Sequence, residues 1–216
     1  MLRSHTDHLV ITAPSLASGI DHVHDALGVA LQRGGEHARM STHNALLKLG
    51  AALYLEVIAV NPEAPKPARS RWFELDQISV DATPSLATWV ARTNDIRAAS
   101  AASPIPLGNI EAMSRGSLDW LITIPADGSL PFDGIAPTLI EWHTAAHPAS
   151  TLDDLGCSLV KLEGFHAQAE KIGDMLRAIG FQDEFLVSPL PGRQQPHLIA
   201  HIQTPTGVRR LGARSR

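Results

Sequence analysis

Glu56 is the residue of this sequence whose position most needs a chemical explanation. It lies in an apolar run, between Leu55 and Val57, within the stretch 41–61 that predicts two neighbouring strands meeting at Gly50. A carboxylate in such a strand either points away from the core or is held by a cation or a hydrogen-bond donor, because burying an unpaired charge is costly. A carboxylate held in this way is a candidate for binding or for proton transfer.

Two further polar residues have side chains suited to contact with a ligand. Asn44 alternates with Leu46 along the first of these strands, so its amide either faces a cleft or makes a strand-edge hydrogen bond. Arg115 precedes Gly116 at a predicted turn and either faces solvent or points inward. An inward guanidinium could bind a carboxylate through two parallel hydrogen bonds.

Histidines and tryptophans near residue 145 form another candidate group. His143 and His147 have the i, i+4 spacing of a helical metal pair, but Pro148 and the strand-like residues before them favour a loop. Such a loop could still line a cleft. Trp120 and Trp142 are candidates either for the core or for a platform that contacts a ligand.

The elements that position these residues recur in the order strand, helix, strands. A strand is predicted over 7–13, and helical spacing of apolar residues predicts a helix over 15–27, with Ser15 as its N-cap and Gly28 at its end. The later predicted elements are a strand at 86–92, a helix through 102, strands near 109–113, 117–125, 138–143 and 157–163, a helix over 165–179, and strands at 185–188, 197–203 and 208–211.

This recurrence divides the chain into units of similar size. We expect a first unit over 1–61, a linker over 62–84 that contains four prolines, a second unit over 85–150, and a C-terminal unit with a tail over 151–216.

Superposing the second unit on the first places His8 opposite Thr88, and Glu56 opposite Glu141. The distinctive motifs are Asp7-His8, Thr42-His43-Asn44-Ala45-Leu46-Leu47 with Leu49-Gly50, and Tyr54-Leu55-Glu56. In these motifs the sequence resembles the vicinal oxygen chelate superfamily, specifically its glyoxalase-like proteins. The resemblance runs from residue 5 to residue 180.

The resemblance implies an α+β fold in which repeated βαβββ modules form curved mixed sheets around a cleft, and the recurrence of elements along the chain adds a third C-terminal module. It also implies a divalent metal (Zn, Ni, Mn or Fe), with His8, Glu56 and Glu141 as ligands from the first and last strands of the modules. Thr88 departs from the pattern at the fourth position, where one of the two histidines after Glu141 could replace it. Three protein ligands would leave a coordination position open for substrate or water.

Two functions follow from this resemblance, and a third remains open. The first is a metal-dependent lyase, isomerase or ring-cleaving dioxygenase acting on a carbonyl- or carboxylate-bearing metabolite, with Glu56 or Glu141 as the catalytic base. The second is a metal-free binding protein of the bleomycin-resistance type, in which Asn44, Trp120 and Trp142 recognise the ligand. The third is an interaction protein whose C-terminal unit covers an exposed sheet or forms a dimer surface.

Composition limits the binding partners and the cellular compartment that we expect for this protein. The net charge of −4 and the pI near 6.2 argue against a nucleic-acid-binding protein. The single cysteine, Cys157, rules out an internal disulfide and is compatible with a reducing compartment. The sequence has no apolar run of the roughly 20 residues that a membrane span needs. We therefore expect a cytoplasmic protein that binds a small molecule and neither nucleic acid nor membrane, with a homodimer left open.

Overall fold

The computed structural model describes residues 1–190 and 194–212, and in this part of the chain the order β-α-β-β-β occurs three times. The first unit consists of β1 (Ser4–Thr12), α1 (Leu16–Leu27), β2 (Gln32–His37), β3 (Thr42–Gly50) and β4 (Leu53–Val60). The second consists of β5 (Ser85–Thr93), α2 (Ile96–Ala102), β6 (Asn109–Arg115), β7 (Leu118–Ile124) and β8 (Thr138–Trp142). The third consists of β9 (Ser158–Phe165), α3 (Ala169–Ala178), β10 (Phe185–Ser188), β11 (His197–Thr204) and β12 (Gly207–Leu211).

The first two units share one sheet. Its eight strands lie in the order β2-β3-β4-β1-β5-β8-β7-β6, and the third unit forms a four-stranded sheet in the order β10-β9-β11-β12. In the larger sheet β1 pairs parallel with β4 and antiparallel with β5, so the first strands of the two units meet at its centre. This arrangement confirms the expected α+β fold of repeated βαβββ modules with a third C-terminal module.

The predicted helix of the first unit has the expected signals at both ends. Ser15 accepts a hydrogen bond from the backbone N–H of Ser18, and the Ser18 side chain bonds back to Ser15, which completes a capping box. Gly28 ends the helix with φ +72, a left-handed conformation that glycine adopts without steric cost. No helix in the described ranges is long and apolar enough to cross a membrane.

The two faces of the large sheet bury different sets of side chains, because successive residues of a strand point to opposite faces. On β1, Leu9 and Ile11 join a large core that also contains residues of all three helices and of the small sheet. Trp89 of β5 is fully buried in this core and contacts the rings of Phe181 and Phe185. The third unit therefore packs, together with α1 and α2, on one face of the large sheet.

The other face of the large sheet curls around a cleft. Its edge strands, β2 and β6, approach each other, since Arg39 after β2 donates a hydrogen bond to the carbonyl oxygen of Ala112 on β6. Glu111, also on β6, forms ion pairs with Arg39 and with Arg69 from the segment that joins the first two units. These side-chain contacts join the two edges of the curled sheet, where no backbone hydrogen bonds connect the described strands.

Three parts of the structure differ from the sequence prediction. The sequence predicts a loop rich in glycine and charge over 34–39, but residues 34–37 of this segment belong to strand β2. The helix expected over 165–179 begins at Ala169, because the chain first completes β9. The linker contains a short 3-10 segment, Trp72–Gln77, that packs into the second core on the cleft side of the sheet.

Candidate functional site

The cleft is a small, partly open cavity on the curled face of the large sheet, and its empty space of about 360 Å³ includes open solvent at the mouth. Its polar lining comes from the two edge strands, β2 and β6, and from the central strands β1 and β4, and its remaining walls are aromatic or aliphatic. The lining residues are His8, His37, Tyr54, Glu56, Trp72, Phe73, Arg115, Trp120, Ile122, Ile140 and Trp142. A few convergent polar groups among apolar walls are typical of small-molecule sites.

A bulge in β1 at Asp7 lets the adjacent side chains of Asp7 and His8 both lie on the cleft side of the sheet. The pairing with β5 shifts register between Thr6 and His8, so Asp7 has no partner in the ladder. The Nδ1 atom of His8 lies 2.7 Å from Oδ1 of Asp7, and both side chains are buried. The Tyr54 ring stacks on the His8 ring with 4.5 Å between centroids.

Asp7 is a fully buried carboxylate with three side-chain partners. Its Oδ2 accepts a hydrogen bond from Trp142 Nε1 at 2.9 Å and lies 3.0 Å from His147 Nε2. Burial alone would raise the pKa of Asp7, but the hydrogen bonds with His147 and His8 hold it well below its usual range. Asp7 is therefore ionised, and it fixes His8 with the Nδ1 hydrogen directed at the carboxylate.

Glu56, the acid in the apolar strand, is held by its neighbours on the sheet. Its Oε1 accepts a hydrogen bond from Asn44 Nδ2, and its Oε2 lies 3.5 Å from Nε2 of His8. Asn44 Oδ1 accepts hydrogen bonds from Arg115 at 3.2 Å and from the backbone of Gly35 at 2.7 Å. A continuous polar chain thus crosses the cleft from Arg115 to Asp7.

His37 lies beside Arg115 at the end of β2. Its Nε2 is 3.3 Å from Nη1 of Arg115, and its Nδ1 is 3.2 Å from the hydroxyl of Thr42. Because Arg115 only donates, Nε2 accepts and Nδ1 carries the hydrogen. Burial lowers the pKa of His37 to about 4, and the opposing attraction of Glu56 does not offset it. His37 is neutral at neutral pH and orients the guanidinium.

Four aromatic side chains form the apolar walls. Trp120 and Trp142 contact each other, with 5.3 Å between ring centroids, and Trp72 stacks on Phe73 with 5.5 Å. Phe73 and the following Glu74 have φ of +57 and +55, which is a costly conformation for residues other than glycine. The indole N–H of Trp72 is buried and has no hydrogen-bond partner among the described residues.

Glu141 does not meet His8 and Glu56, contrary to the arrangement that the resemblance implied. On β8, Ile140 and Trp142 face the cleft, so Glu141 points to the opposite face of the sheet. There its Oε2 accepts a hydrogen bond from the backbone N–H of Ile96, and its Oε1 lies 3.2 Å from Nε2 of His143. The carboxylate therefore caps the first turn of α2 instead of lining the cleft.

Strand register identifies the true counterpart of Glu56 in the second unit. Glu56 pairs with Val10, which lies five residues before the N-cap Ser15. The corresponding residue before the N-cap Asp95 is Val90, and its partner on β8 is Thr138. The second unit therefore supplies a threonine, not a glutamate, at this position.

The donor set does not fit the divalent ion that the resemblance implied. Of the four corresponding positions, His8 and Glu56 carry ligating side chains, whereas Thr88 and Thr138 carry neutral hydroxyls, which are poor ligands for borderline divalent metals. Thr88 is fully buried and its hydroxyl donates to the carbonyl oxygen of Trp89. Within the described ranges, no three His, Cys, Asp or Glu side chains are grouped so as to hold a metal ion.

The two candidate histidines of the 143–147 loop have different positions. His143 is exposed beside Glu141, whereas His147 is largely buried against Asp7 and contacts the Trp142 ring. Neither joins His8 and Glu56 to complete a ligand set. His147 instead helps to hold the buried carboxylate.

Several lining residues are not identified as candidates by the sequence. His37 lies in a segment that reads as a loop, and the aromatic pair Trp72-Phe73 lies in the proline-rich linker. The sequence does indicate that this pair is buried, since two adjacent large aromatic residues in a linker seldom stay exposed to solvent. The sequence marks Asp7 only as the neighbour of His8, because a bulge is not visible in the pattern of residues.

Comparison with known proteins relates this site to a family. A family described as a glyoxalase-like domain matches residues 6–180. A search of curated proteins finds no match. A solved structure of a hypothetical protein from Staphylococcus aureus aligns with a TM-score of 0.57 and 14% identity, covering 89% of this chain and 87% of that one. This likeness shows a shared fold.

Two solved enzymes align less closely. Methylmalonyl-CoA epimerase from Mycobacterium tuberculosis gives a TM-score of 0.43 and 20% identity, over 65% of this chain and 88% of that one. A variant of 4-hydroxymandelate synthase from Streptomyces coelicolor gives 0.49 and 14%, over 96% and 61%. The family match covers most of the chain, and its residues 6–180 contain the whole cleft. The chain therefore belongs to the glyoxalase-like family of the vicinal oxygen chelate superfamily.

Proposed function

We propose that the cleft binds a small molecule with a carboxylate next to a carbonyl group, a 2-oxo acid, without a metal ion held by the protein. The observation that supports the proposal most is that Arg115 has unused hydrogen-bond donors at the cavity. Its Nη1 contacts His37 and Asn44, and within the described ranges its Nε and Nη2 have no protein partner. A guanidinium with two free donors at a cavity is suited to bidentate binding of a carboxylate.

The charges around the cavity support an anionic ligand at this position. The negative charge of Asp7 is already compensated by three side-chain hydrogen bonds. Glu56 is held by Asn44 and lies on the other side of that amide from Arg115. The guanidinium thus has no direct carboxylate partner in the described structure and would gain one from the ligand.

The apolar walls limit the rest of the ligand. Trp120, Trp142, Ile122 and Ile140 offer aromatic and aliphatic surface, which favours a short hydrocarbon chain over a polar one. Two of the four positions that hold a metal in the family pattern are threonines, so the proposal assigns ligand binding to Arg115 and the polar chain. A carboxylate-bearing molecule with a short alkyl group matches both parts of the cleft.

Isothermal titration calorimetry with 2-oxobutanoate tests the proposal. Replacing Arg115 with Gln removes the charge and one set of donors, and we expect affinity to fall at least tenfold, because hydrogen bonds between charged groups contribute roughly 1.5–3 kcal/mol. Arg97→Gln on the exposed surface of α2 is the matched control and should bind like the unaltered protein. Butanone, which lacks the carboxylate, should bind weakly to all three proteins.

Two results would contradict this function. Equal affinity of the Arg115→Gln and Arg97→Gln variants would show that the guanidinium does not hold the ligand. Loss of 2-oxobutanoate binding after treatment with EDTA, with recovery on adding Zn²⁺ or Mn²⁺, would show that binding depends on a metal.

A further inference from the structure

We propose that residues 69–76 of the linker, which we call the strap, form a lid that opens to admit the ligand to the cleft. Trp72 and Phe73 of the strap line the cavity, and its other lining residues all belong to strands of the large sheet. Strands are held by the backbone hydrogen bonds of the sheet, so the strap is the part of the wall that can move alone. The inference goes beyond the proposed function, on which it rests only for the choice of ligand.

The strap keeps the cleft nearly closed in this conformation. Nine of the eleven lining residues are buried, and Arg115 and Trp142 are the two that are partly exposed. The side chains of His8 and Glu56 are only 5% and 6% exposed. Since so little of the lining meets solvent, a molecule reaches these groups readily only when part of the wall moves aside.

Four consecutive residues of the strap carry two kinds of unfavourable feature. Phe73 and Glu74 have left-handed backbones, with φ of +57 and +55, which is costly for residues that carry a Cβ atom. Nε1 of Trp72 and Nε of Arg71 are buried, and neither has a hydrogen-bond partner among the described residues. A buried donor without a partner has lost its hydration and gained nothing in return. Opening relieves both features, because the backbone can relax and water can reach the two N–H groups.

Apolar packing opposes this opening. Trp72, Phe73 and Leu75 are each no more than 5% exposed, and they belong to the second core, on the cleft side of the sheet. Moving these side chains into water costs hydrophobic free energy, so the closed strap is the more populated state. The unfavourable features of residues 71–74 reduce this preference, which leaves a minor open state populated.

An ion pair within the strap holds its turn in the closed shape. The Arg71 guanidinium lies 2.5 Å from Oδ1 of Asp76, and the backbone N–H of Arg71 donates to Oδ2 at 2.8 Å. Burial acts to raise the pKa of Asp76, but the hydrogen bonds from Arg71 outweigh it and lower the pKa, so the carboxylate is ionised at neutral pH. The side chain of Arg71 is only 8% exposed. Without the Asp76 charge, the closed strap would bury an uncompensated guanidinium, whereas the open strap would hydrate it.

Amide hydrogen exchange of the free protein, followed by NMR, tests whether the strap opens. The backbone N–H of Glu74 donates to the carbonyl oxygen of Gly128 at 2.9 Å, so its exchange requires this contact to break. We expect this amide to exchange at least about tenfold faster than the amides of β4, which exchange only when the sheet unfolds. Asp76→Asn should speed its exchange by about a further tenfold without changing β4, because hydrogen bonds between charged groups are strong. Asp81→Asn, at an exposed position of the same linker, is the matched control and should leave the exchange unchanged.

Stopped-flow fluorescence with 2-oxobutanoate tests whether the opening controls access. Trp120 and Trp142 line the cavity, so their fluorescence reports binding. Because the strap closes over the empty and the occupied cleft alike, Asp76→Asn should raise the association and dissociation rates together, each at least about fivefold, and leave Kd within about twofold. A fixed wall that only contacts the ligand would change the dissociation rate alone. Asp81→Asn should bind with the rates of the unaltered protein.

Three results would overturn the lid. The first is exchange of the Glu74 amide in the unaltered protein as slow as that of β4, since the strap would then open only when the whole sheet unfolds. The second is equal association rates in the Asp76→Asn and Asp81→Asn variants, and the third is a change in the dissociation rate alone. The exchange measurement on the unaltered protein needs neither ligand nor variant. It therefore decides whether the strap opens even if 2-oxobutanoate does not bind and the proposed function fails.

Discussion

Asp7 shows how one buried carboxylate can organise a site made from distant parts of the chain. Its side chain is fully buried, and its partners come from β1, from the end of β8 and from the loop that follows. An unpaired buried charge would be costly, but three hydrogen bonds stabilise the ionised form. The cleft therefore depends on this residue although Asp7 does not line the cavity itself.

Replacing Asp7 with Asn should destabilise the protein strongly. The amide would present an N–H₂ group to partners that also donate, so we expect the free energy of unfolding to fall by roughly 3 kcal/mol at pH 7. Asp183→Asn is the matched control, because Asp183 pairs with His5 at 2.8 Å but is 39% exposed. It should cost no more than about 1 kcal/mol. Urea unfolding measures both variants, and similar losses would contradict the role of Asp7.

His37 predicts how stability depends on pH. Its pKa is about 4 in the folded protein and about 6.5 in the unfolded chain, so the unfolded chain binds more protons between these values. Stability should therefore fall as pH falls from about 6.5 to about 4, by on the order of 3 kcal/mol from this residue. Asp7, whose pKa is also lowered, acts only below about pH 4.

Urea unfolding at pH 7, 5.5 and 4.5 tests the prediction for His37. The His37→Gln variant should lose much less stability over this range than the unaltered protein, whatever its stability at pH 7. The exposed His24→Gln variant should show the unaltered dependence. The prediction is wrong if the His37→Gln variant and the unaltered protein have parallel curves.

At the scale of single elements, sequence pattern predicts the strands better than it predicts which side chains meet. The apolar run around Glu56 marks β4 correctly, and helical spacing with Ser15 and Gly28 marks α1 correctly. The alignment places Glu141 opposite Glu56, but Glu141 lies three residues after Thr138, and an odd number of residues along a strand moves a side chain to the other face. The similarity between Tyr-Leu-Glu and Leu-Ile-Glu suggested an alignment that the register of β8 does not follow.

Irregular elements account for the remaining gaps between sequence and site. The bulge at Asp7 and the left-handed residues Phe73 and Glu74 depend on tertiary contacts, since no local preference of these residue types favours them. The sequence does not decide whether Arg115 faces solvent or the cleft, because its direction depends on the approach of β2 to β6. Such long-range closure brings Arg115 to His37 and Asn44, and it leaves no periodic signal in the sequence.

At the scale of the whole molecule, the third unit belongs to the same core as the sheet that forms the cleft. Trp89 is fully buried, donates a hydrogen bond from Nε1 to the carbonyl oxygen of Ile135, and contacts Phe181 and Phe185 of the third unit. The backbone N–H of Ser4 also bonds to the carbonyl oxygen of Gly180, which links β1 to the segment after α3. The sheet face opposite the cleft is therefore completed by residues from the end of the chain.

This packing predicts that the three units unfold in one cooperative transition. The boundaries of the units near residues 61, 85 and 151 stay a prediction from the sequence. Trp89→Ala would leave a large cavity between the sheet and the third unit, so we expect a loss of roughly 3–5 kcal/mol. Phe165→Ala, on the outer face where Phe165 stacks on His197, should cost about 1 kcal/mol. Circular dichroism and fluorescence should give coincident urea transitions in both variants. Two separated transitions, with Trp89→Ala shifting only the first, would instead show that the third unit folds independently of the sheet around the cleft.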